Sequence, residues 1–487
     1  MASMFDKDDW LRRLDDKVGD GVESALKAHH RRRLHRIGWD DALAPDDGDE
    51  WWSSHAEIRS GNLVEVLIDG SSAFPEMQAA IQRAEEFVHI AGWHASPDFS
   101  LTRGPDALSL RDLLAQTAER VPVRLLLWAG PPLPAFQPTR KTVKQASAGF
   151  TRDSRVKCAL DNREYTLHCH HEKIIVIDGR LAFVGGMDFT ALQGDRYDEP
   201  AHAPRDPMGW HDVAVRLRGP AVADVARHFN ARWSEVTSEP LPDVEEPAAA
   251  GDTDVQVLRT VPERTYDFAP RGDFTILEAY LRAIRSSERF IYIENQFLWS
   301  PEVIDALADK LKNPPHPDFR ILALLPTNPS DGAETTRGQL GRLLAADGKN
   351  KRLLATTVSG QGGDKTAPVY VHAKVSVIDD RWLTIGSANL NEHSLFNDTE
   401  MNIVTCDAEL ARSTRLRLWS EHTGASADEL DRDPHTVIDE VWRPTAEEQA
   451  RRSREGLPRT HRLTMLSKVS KRTDRLEGPM RGLMVDG

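Results

Sequence analysis

Along most of the chain, short apolar blocks alternate with amphipathic stretches. Residues 63–69 (LVEVLID), 87–93 (FVHIAGW) and 123–130 (VRLLLWAG) predict strands, and residues 71–86 and 110–121 between them predict helices, the first opened by Ser and Pro. Strands that are apolar throughout and separated by helices indicate an α/β sheet covered on both faces. The pattern starts again after residues 237–253 (TSEPLPDVEEPAAAGDT), a Pro-, Ala- and acid-rich stretch without period that reads as a linker. Residues 274–288 and 301–312 predict helices, and residues 290–299 (FIYIENQFLW) and 319–326 (FRILALLP) predict strands. The repeat implies two similar α/β lobes in one chain, residues 62–236 and 254–425, with a peripheral helical segment at 1–61 and an extension at 426–487 packing on the lobes. Residues 8–37 show helical apolar spacing interrupted by Gly19 and Gly21, and the basic run His29 to Arg36 reads as a solvated helix face. Residues 327–350 read as a long loop of the kind that forms lids.

The repeat becomes strict in two segments, HHEKIIVIDGRLAFVGGMD (170–188) and VHAKVSVIDDRWLTIGSAN (371–389). His171 and His372, Lys173 and Lys374, Asp178 and Asp379, and Gly185 and Gly386 all stand 201 residues apart. Side chains two apart on an extended chain emerge on one face, so each His lies beside its Lys. The strand then continues to a turn at Asp, and a second strand ends in the small pairs Gly185-Gly186 and Gly386-Ser387, where backbone can approach a ligand. One His-x-Lys triplet is weak evidence; two with identical internal spacing are specific.

Phosphodiester cleavage needs this set. Two lysines neutralise the non-bridging oxygens as charge grows. One neutral imidazole attacks phosphorus to give a phosphohistidine, and the other, protonated, hands its proton to the leaving alkoxide. Neighbouring histidines should titrate apart and give one base and one acid. Each also needs a carboxylate to fix its tautomer, and Asp212 (WHDVAVRL) and Glu400 (NDTEMNIV), both ahead of strand-like alternation, are the candidates.

Composition bounds the partners. The chain has 487 residues, 40% of them hydrophobic, and a formal net charge of −14, which disfavours nucleic acid as a partner. No apolar run long enough to span a bilayer and no signal-peptide pattern is found. Three scattered cysteines imply no disulfide framework, so a cytoplasmic or peripheral membrane location fits and secretion is left open. His168, Cys169, His170 and His171 invite a metal reading, but alternation along a strand splits them between two faces and no second zinc-spaced cluster is found, so no metal is expected. His211 beside Asp212, and His393 near Asn391, read as pocket-lining residues or turn caps.

The two motifs resemble the duplicated His-Lys-Asp signature of the phospholipase D superfamily. GWH (92–94), FVGGMDF followed by GDRYD (183–198), RDPMGWHDVAVRLRGPAVADV (205–225), IYIENQF (291–297) and RLWSEHTG (417–424) are similar to segments of its phosphatidylcholine-cleaving members, with a faint return at GPMRGLMVDG (478–487). The resemblance implies an α/β fold of two lobes, each a mixed sheet sandwiched by helices, with the active site at their pseudo-twofold interface. It implies hydrolysis of the distal phosphodiester of glycerophospholipids to phosphatidic acid, and transphosphatidylation when an alcohol replaces water. His171, Lys173, Asp178, His372, Lys374 and Asp379 would be catalytic, with His171 as nucleophile and His372 as acid and base. Asn389, Asp188, Gly186, Ser387, Asn295 and Gln296 would contact phosphate or substrate. Asp188 stands where the second copy has Asn389, which leaves the direction of attack open. No cofactor is implied, and without room for a C2 domain before residue 62 calcium dependence is not expected. The expected partner is a phospholipid at a membrane or micelle surface, met by a monomer. The alternatives are another phosphodiesterase or nuclease of the superfamily, a cardiolipin or phosphatidyl transferase, and a silent membrane-binding scaffold.

Overall fold

The computed structural model describes residues 4–44, 51–131, 137–164, 168–200, 202–327, 333–362 and 365–467. The segment 478–487, where the similarity returns, lies outside them. Fourteen of the eighteen strands among the described residues build the scaffold: β1 (Arg59–Ile68), β2 (Val88–Gly92), β3 (Val123–Trp128), β4 (Lys157–Asp161), β5 (Ile174–Ile177), β6 (Leu181–Gly185), β7 (Val213–Arg218), β8 (Thr253–Val261), β9 (Phe290–Glu294), β10 (Arg320–Leu324), β11 (Leu353–Gly362), β12 (Val375–Ile378), β13 (Trp382–Gly386) and β14 (Glu400–Thr405). The first seven run in the order β4–β3–β2–β5–β6–β7–β1, and the next seven in the order β11–β10–β9–β12–β13–β14–β8. In each sheet the first two pairings are parallel and the rest antiparallel, so order and sense repeat step for step. An irregular antiparallel contact between β1 and β8 joins the two into one extensive mixed sheet system.

Period-two alternation explains why these strands are apolar throughout. In β5, Ile174 and Val176 enter a core shared with strands of the second sheet, while Ile175 and Ile177 enter a core under the helices Asp69–Gln82 and Leu110–Ala118. The shared core also takes Trp233 and Trp419 from the helices Val222–Thr237 and Ala408–Thr423, and Trp442 from beyond them. A third core lies between the outer face of the second sheet and the helices Thr275–Ser286 and Pro301–Lys312. The result is a mixed α/β fold with helices on both faces of the sheet.

Two local expectations are corrected. The N-terminal helix runs unbroken from Met4 to Ile37 through Gly19 and Gly21. Its basic run is only partly solvated: Arg33 is buried and forks onto Glu263 at 3.0 and 2.7 Å, and His30 stacks on Phe396 with ring centroids 3.8 Å apart. Within 327–350, residues Ala333–Asp347 form a helix, anchored by the buried Leu340 and Leu343. Gly338 and Gly341 disguise it, because glycine weakens helical propensity; residues 328–332 lie outside the described residues.

Candidate active site

Each motif histidine stands just before its strand, and its lysine turns back toward it. Lys173 Nζ donates to the His171 carbonyl at 2.6 Å, and Lys374 Nζ donates to the His372 carbonyl at 2.5 Å. The backbone then crosses between the two halves of the chain. His170 bridges to Thr399 in parallel, and His171 N–H donates to Thr399 O at 2.9 Å. In the other direction, the strand Lys365–Val371 pairs in parallel with Gly209–His211, and His372 N–H donates to His211 O at 2.8 Å. Continued by one residue, these registers set His171 beside Glu400 and His372 beside Asp212.

The side chains bond accordingly. His171 Nδ1 lies 2.9 Å from Glu400 Oε1, and His372 Nδ1 lies 2.7 Å from Asp212 Oδ2. Each histidine is therefore oriented by a carboxylate from the other half. An ionised carboxylate only accepts, so the proton sits on Nδ1 and the Nε2 lone pair is left for chemistry. Glu400 is held by the Ser387 and Ser394 hydroxyls, and Asp212 Oδ1 accepts Val213 N–H at 2.8 Å. Gly186 makes room for the second pair: a Cβ there would stand 2.2 Å from Asp212 Oδ1. At the corresponding position Ser387 instead supplies a hydroxyl to the longer Glu400.

The crossed pairs bring the two motifs together. Burial lowers the His372 pKa well below its ordinary value, and Lys374, Lys173, Arg196 and His171 push it the same way. Lys173 and His171 belong to the other motif, so their influence on His372 brings both motifs to one site. Burial raises the Asp212 carboxyl, and Lys374 is the largest influence opposing it. Lys173 Nζ lies 3.3 Å from Asp188 Oδ2, whereas Lys374 Nζ donates to Gln296 Oε1 at 3.0 Å, which Asn389 Nδ2 also approaches at 3.4 Å. Gln296 in turn donates to the Tyr370 hydroxyl at 2.9 Å.

Three predicted residues sit elsewhere. Asp178 accepts the amides of Glu85, Glu86 and Phe87 at 3.0, 2.7 and 2.9 Å, and Asp379 accepts those of Glu288, Arg289 and Phe290 at 2.6, 2.9 and 2.8 Å. Both lie at the far end of a four-residue strand from the histidine, roughly 15 Å along the chain from the lysine at about 3.3 Å per residue. They fasten turns to the chain entering β2 and β9 and are not groups of the reacting centre. Asn295 Oδ1 accepts the amides of Phe297 and Leu390 at 3.1 and 3.2 Å and shapes a turn beside Gln296.

Other residues join that the sequence reading gave no role in the reaction. The Arg196 guanidinium is buried 3.9 Å over the Trp210 ring and donates to the carbonyls of Thr190 and Leu192 at 2.8 and 2.7 Å. Trp210 stacks on Tyr370 at 4.5 Å and touches the His372 ring at 4.7 Å. His211, read as a pocket or turn residue, is wholly buried: Nδ1 lies 2.9 Å from Asp69 and 3.0 Å from Glu421, and Nε2 lies 2.8 Å from Glu294. Burial alone would lower its pKa, but these carboxylates outweigh burial and raise it well above the ordinary value. Its charged ring locks the carbonyl that carries His372. The run 168–171 divides as well, His170 meeting Thr399 and His168 meeting His393, at 2.9 and 3.2 Å.

Comparison with known proteins follows the same outline. A family model described as "Phospholipase D" matches residues 80–204 and 201–309, and one described as "Cardiolipin synthase, PLD-like domain" matches residues 280–419. Phospholipase D A of Dictyostelium discoideum is 26% identical over 77% of this chain and 36% of that protein. Phospholipase D alpha 4 of Arabidopsis thaliana is 25% identical over 86% and 71%, and phospholipase D2 of Bos taurus 28% over 82% and 57%. The chain thus spans little more than a third of the Dictyostelium relative's length. A solved structure, phosphatidylserine synthase of Haemophilus influenzae Rd KW20, superimposes with a TM-score of 0.53 at 12% identity, covering 81% of this chain and 93% of that one, which shows a shared fold. No helix among the described residues is long and apolar enough to cross a membrane. With both models meeting on a chain whose two His-x-Lys motifs are tied together by the crossed histidine–carboxylate pairs, the protein belongs to the phospholipase D superfamily and carries its catalytic domain.

Proposed function

We propose that residues 62–236 and 254–425 form two lobes related by a pseudo-twofold axis, and that the chain acts between them as a phospholipase D. The crossed histidine–carboxylate pairs carry this reading, supported by the influence of both lysines on His372. A glycerophospholipid diester enters with its phosphate among Lys173, Lys374 and Asn389. His171 Nε2 attacks phosphorus, the P–O bond to the head group breaks, and a phosphohistidine forms while Glu400 stabilises the cationic ring. Before substrate binds, burial together with the lysines keeps His372 neutral. The phosphate offsets their charge, so His372 takes up a proton and passes it to the departing alkoxide. It then accepts a proton from water, or from an alcohol, as that oxygen displaces histidine and releases phosphatidic acid or a new phosphatidyl alcohol. No step calls for a metal. Net acidity favours a lipid over a nucleic-acid diester.

The test offers phosphatidylcholine vesicles with ethanol and measures phosphatidylethanol and phosphatidic acid. Product is expected from the wild type, and none from H171A or H372A, since one imidazole cannot hold both roles. Near-normal turnover by either variant overturns the mechanism. Intact lipid together with nicked plasmid DNA replaces the reading by a nuclease.

A further inference from the structure

A second cluster lies one step from the His171–Glu400 pair. His168 stands three residues before His171, and Asp398 two residues before Glu400, in the segments that the His170–Thr399 bridge holds in parallel. His393 completes the group from the π-helical turn His393–Asn397, which also carries Ser394, a hydroxyl donor to Glu400. His168 Nδ1 lies 3.2 Å from His393 Nδ1 and 3.7 Å from Asp398 Oδ1, and one ligand atom from each residue falls within 4.8 Å of the others. All three groups are largely or fully buried.

Proton counting separates this cluster from the other histidine groups. Around His211 every close contact sets an imidazole nitrogen against a carboxylate oxygen, at 2.8–3.0 Å, so a cationic ring among anions balances the group without an added ion. Between His168 and His393 two nitrogens of the same kind face each other, and only one of them can donate. At 3.7 Å, Asp398 Oδ1 is too far to hydrogen-bond His168, and it already accepts Cys169 N–H at 2.8 Å. Three electron-pair donors thus converge with one hydrogen-bonding contact among them. A cation set among them would meet a lone pair from each. Tetrahedral zinc with bonds of about 2.0–2.1 Å sets its ligand atoms about 3.3 Å apart, between the two separations found here.

We propose that His168, His393 and Asp398 form a binding site for a divalent transition ion of the zinc type. Two nitrogens and one carboxylate oxygen suit zinc, cobalt or ferrous iron and not calcium or magnesium, which take oxygen ligands. Three protein ligands leave a fourth position for water or a ligand atom. His168 comes from one half of the chain and His393 and Asp398 from the other, so the ion clamps the two halves beside Glu400. It plays no part in the phosphohistidine step, and the site stands whether or not the chain cleaves lipids.

The full chain is stripped with EDTA, dialysed, and titrated with Zn²⁺, Co²⁺, Ca²⁺ and Mg²⁺. Bound metal is counted by mass spectrometry, Co²⁺ is followed by its visible absorption, and thermal midpoints are recorded. About one Zn²⁺ or Co²⁺ per chain is expected, with a midpoint raised by about 2 °C or more and no response to Ca²⁺ or Mg²⁺. H393A and H168Q should each weaken binding at least about tenfold, while H35A, at an exposed helical position, keeps it. If H393A does not fold, H168Q decides, its side chain being the less buried of the two histidines. Failure of the stripped protein to bind Zn²⁺, or wild-type binding by H168Q, overturns the site.

Discussion

Replacing Glu400 by Gln tests the exchange of carboxylates directly. The substitution preserves shape: Ser387 and Ser394 can rotate to face an amide, so the fold should lose no more than about 1–2 kcal/mol. What disappears is the charge facing His171 Nδ1, 2.9 Å from the nearest oxygen. With charge centres about 4 Å apart and an effective dielectric constant near 20, a cationic imidazole loses roughly 4 kcal/mol of stabilisation. At 1.36 kcal/mol per factor of ten, that is a fall of about 10³ in kcat. KM should hardly change, because the lysines proposed to bind the phosphate are untouched. The assay is initial-rate release of choline from phosphatidylcholine micelles, with a melting curve on the same preparation. E400Q at more than about a tenth of wild-type kcat, with a normal melting curve, would show that Glu400 does not serve the charge on His171.

Three other outcomes are expected. G186A places a Cβ 2.2 Å from Asp212 Oδ1 and shifts that carboxylate off His372, so kcat should fall about 10² with little change in melting temperature; G185A, which meets the Ala214 backbone at 2.6 Å, should instead lower the melting temperature. D379A removes the acceptor of three amides and should cost about 2–3 kcal/mol in denaturant titrations while activity per folded molecule persists; loss of activity without loss of stability would return Asp379 to the reacting centre. Thermal stability should peak near pH 6.5. Burial lowers His89 to about 3 and His94 to about 4, so below pH 6.5 the unfolded chain takes protons the native one refuses, at about 2 kcal/mol per group by pH 5. On the alkaline side, burial lowers His30 and His202 but their carboxylate partners outweigh it and raise each to about 9. The stability these two contribute is full below pH 6.5 and is lost as pH rises toward 9. A midpoint that is flat from pH 5 to 9 contradicts these assignments.

The features legible in the sequence are those governed by local periodicity. Apolar runs marked strands such as β3 and β10 because a strand covered on both faces has no solvent side to keep polar. The constant offset of 201 marked the two motifs because a tandem copy keeps its internal spacing. The choice of partners was not legible. Glu400 lies 28 positions after His372 yet serves His171, since a parallel pairing between residues 229 apart decides it. The motif aspartates misled for another reason: a fixed spacing from the histidine is required equally by chemistry and by a turn that ties β5 to the strand beside it. Arg196 stood only within the resembling segment GDRYD, and its role was not legible because it depends on the face of Trp210, supplied by a later strand.

The crossing also bears on how the two copies diverged. A carboxylate supplied by its own half would stay aligned with its histidine if the halves slid against each other; here one displacement breaks both pairs at once, and a misplacement of about 1 Å is worth about a hundredfold in rate. Catalysis therefore depends on the fit between the halves. The contacts that differ between copies lie around these pairs and their lysines: Gly186 against Ser387, Asp212 against Glu400, Asp188 against Asn389. Where the carboxylate is short, glycine lets it abut the strand end; where it is longer by one methylene, serine occupies the space and holds it. Lys173 meets a carboxylate and Lys374 a carboxamide, so the two ammonium groups stand in different fields. A repeated strand order with unlike contacts around its two imidazoles is what a reaction needs when one ring must attack and the other must carry the proton.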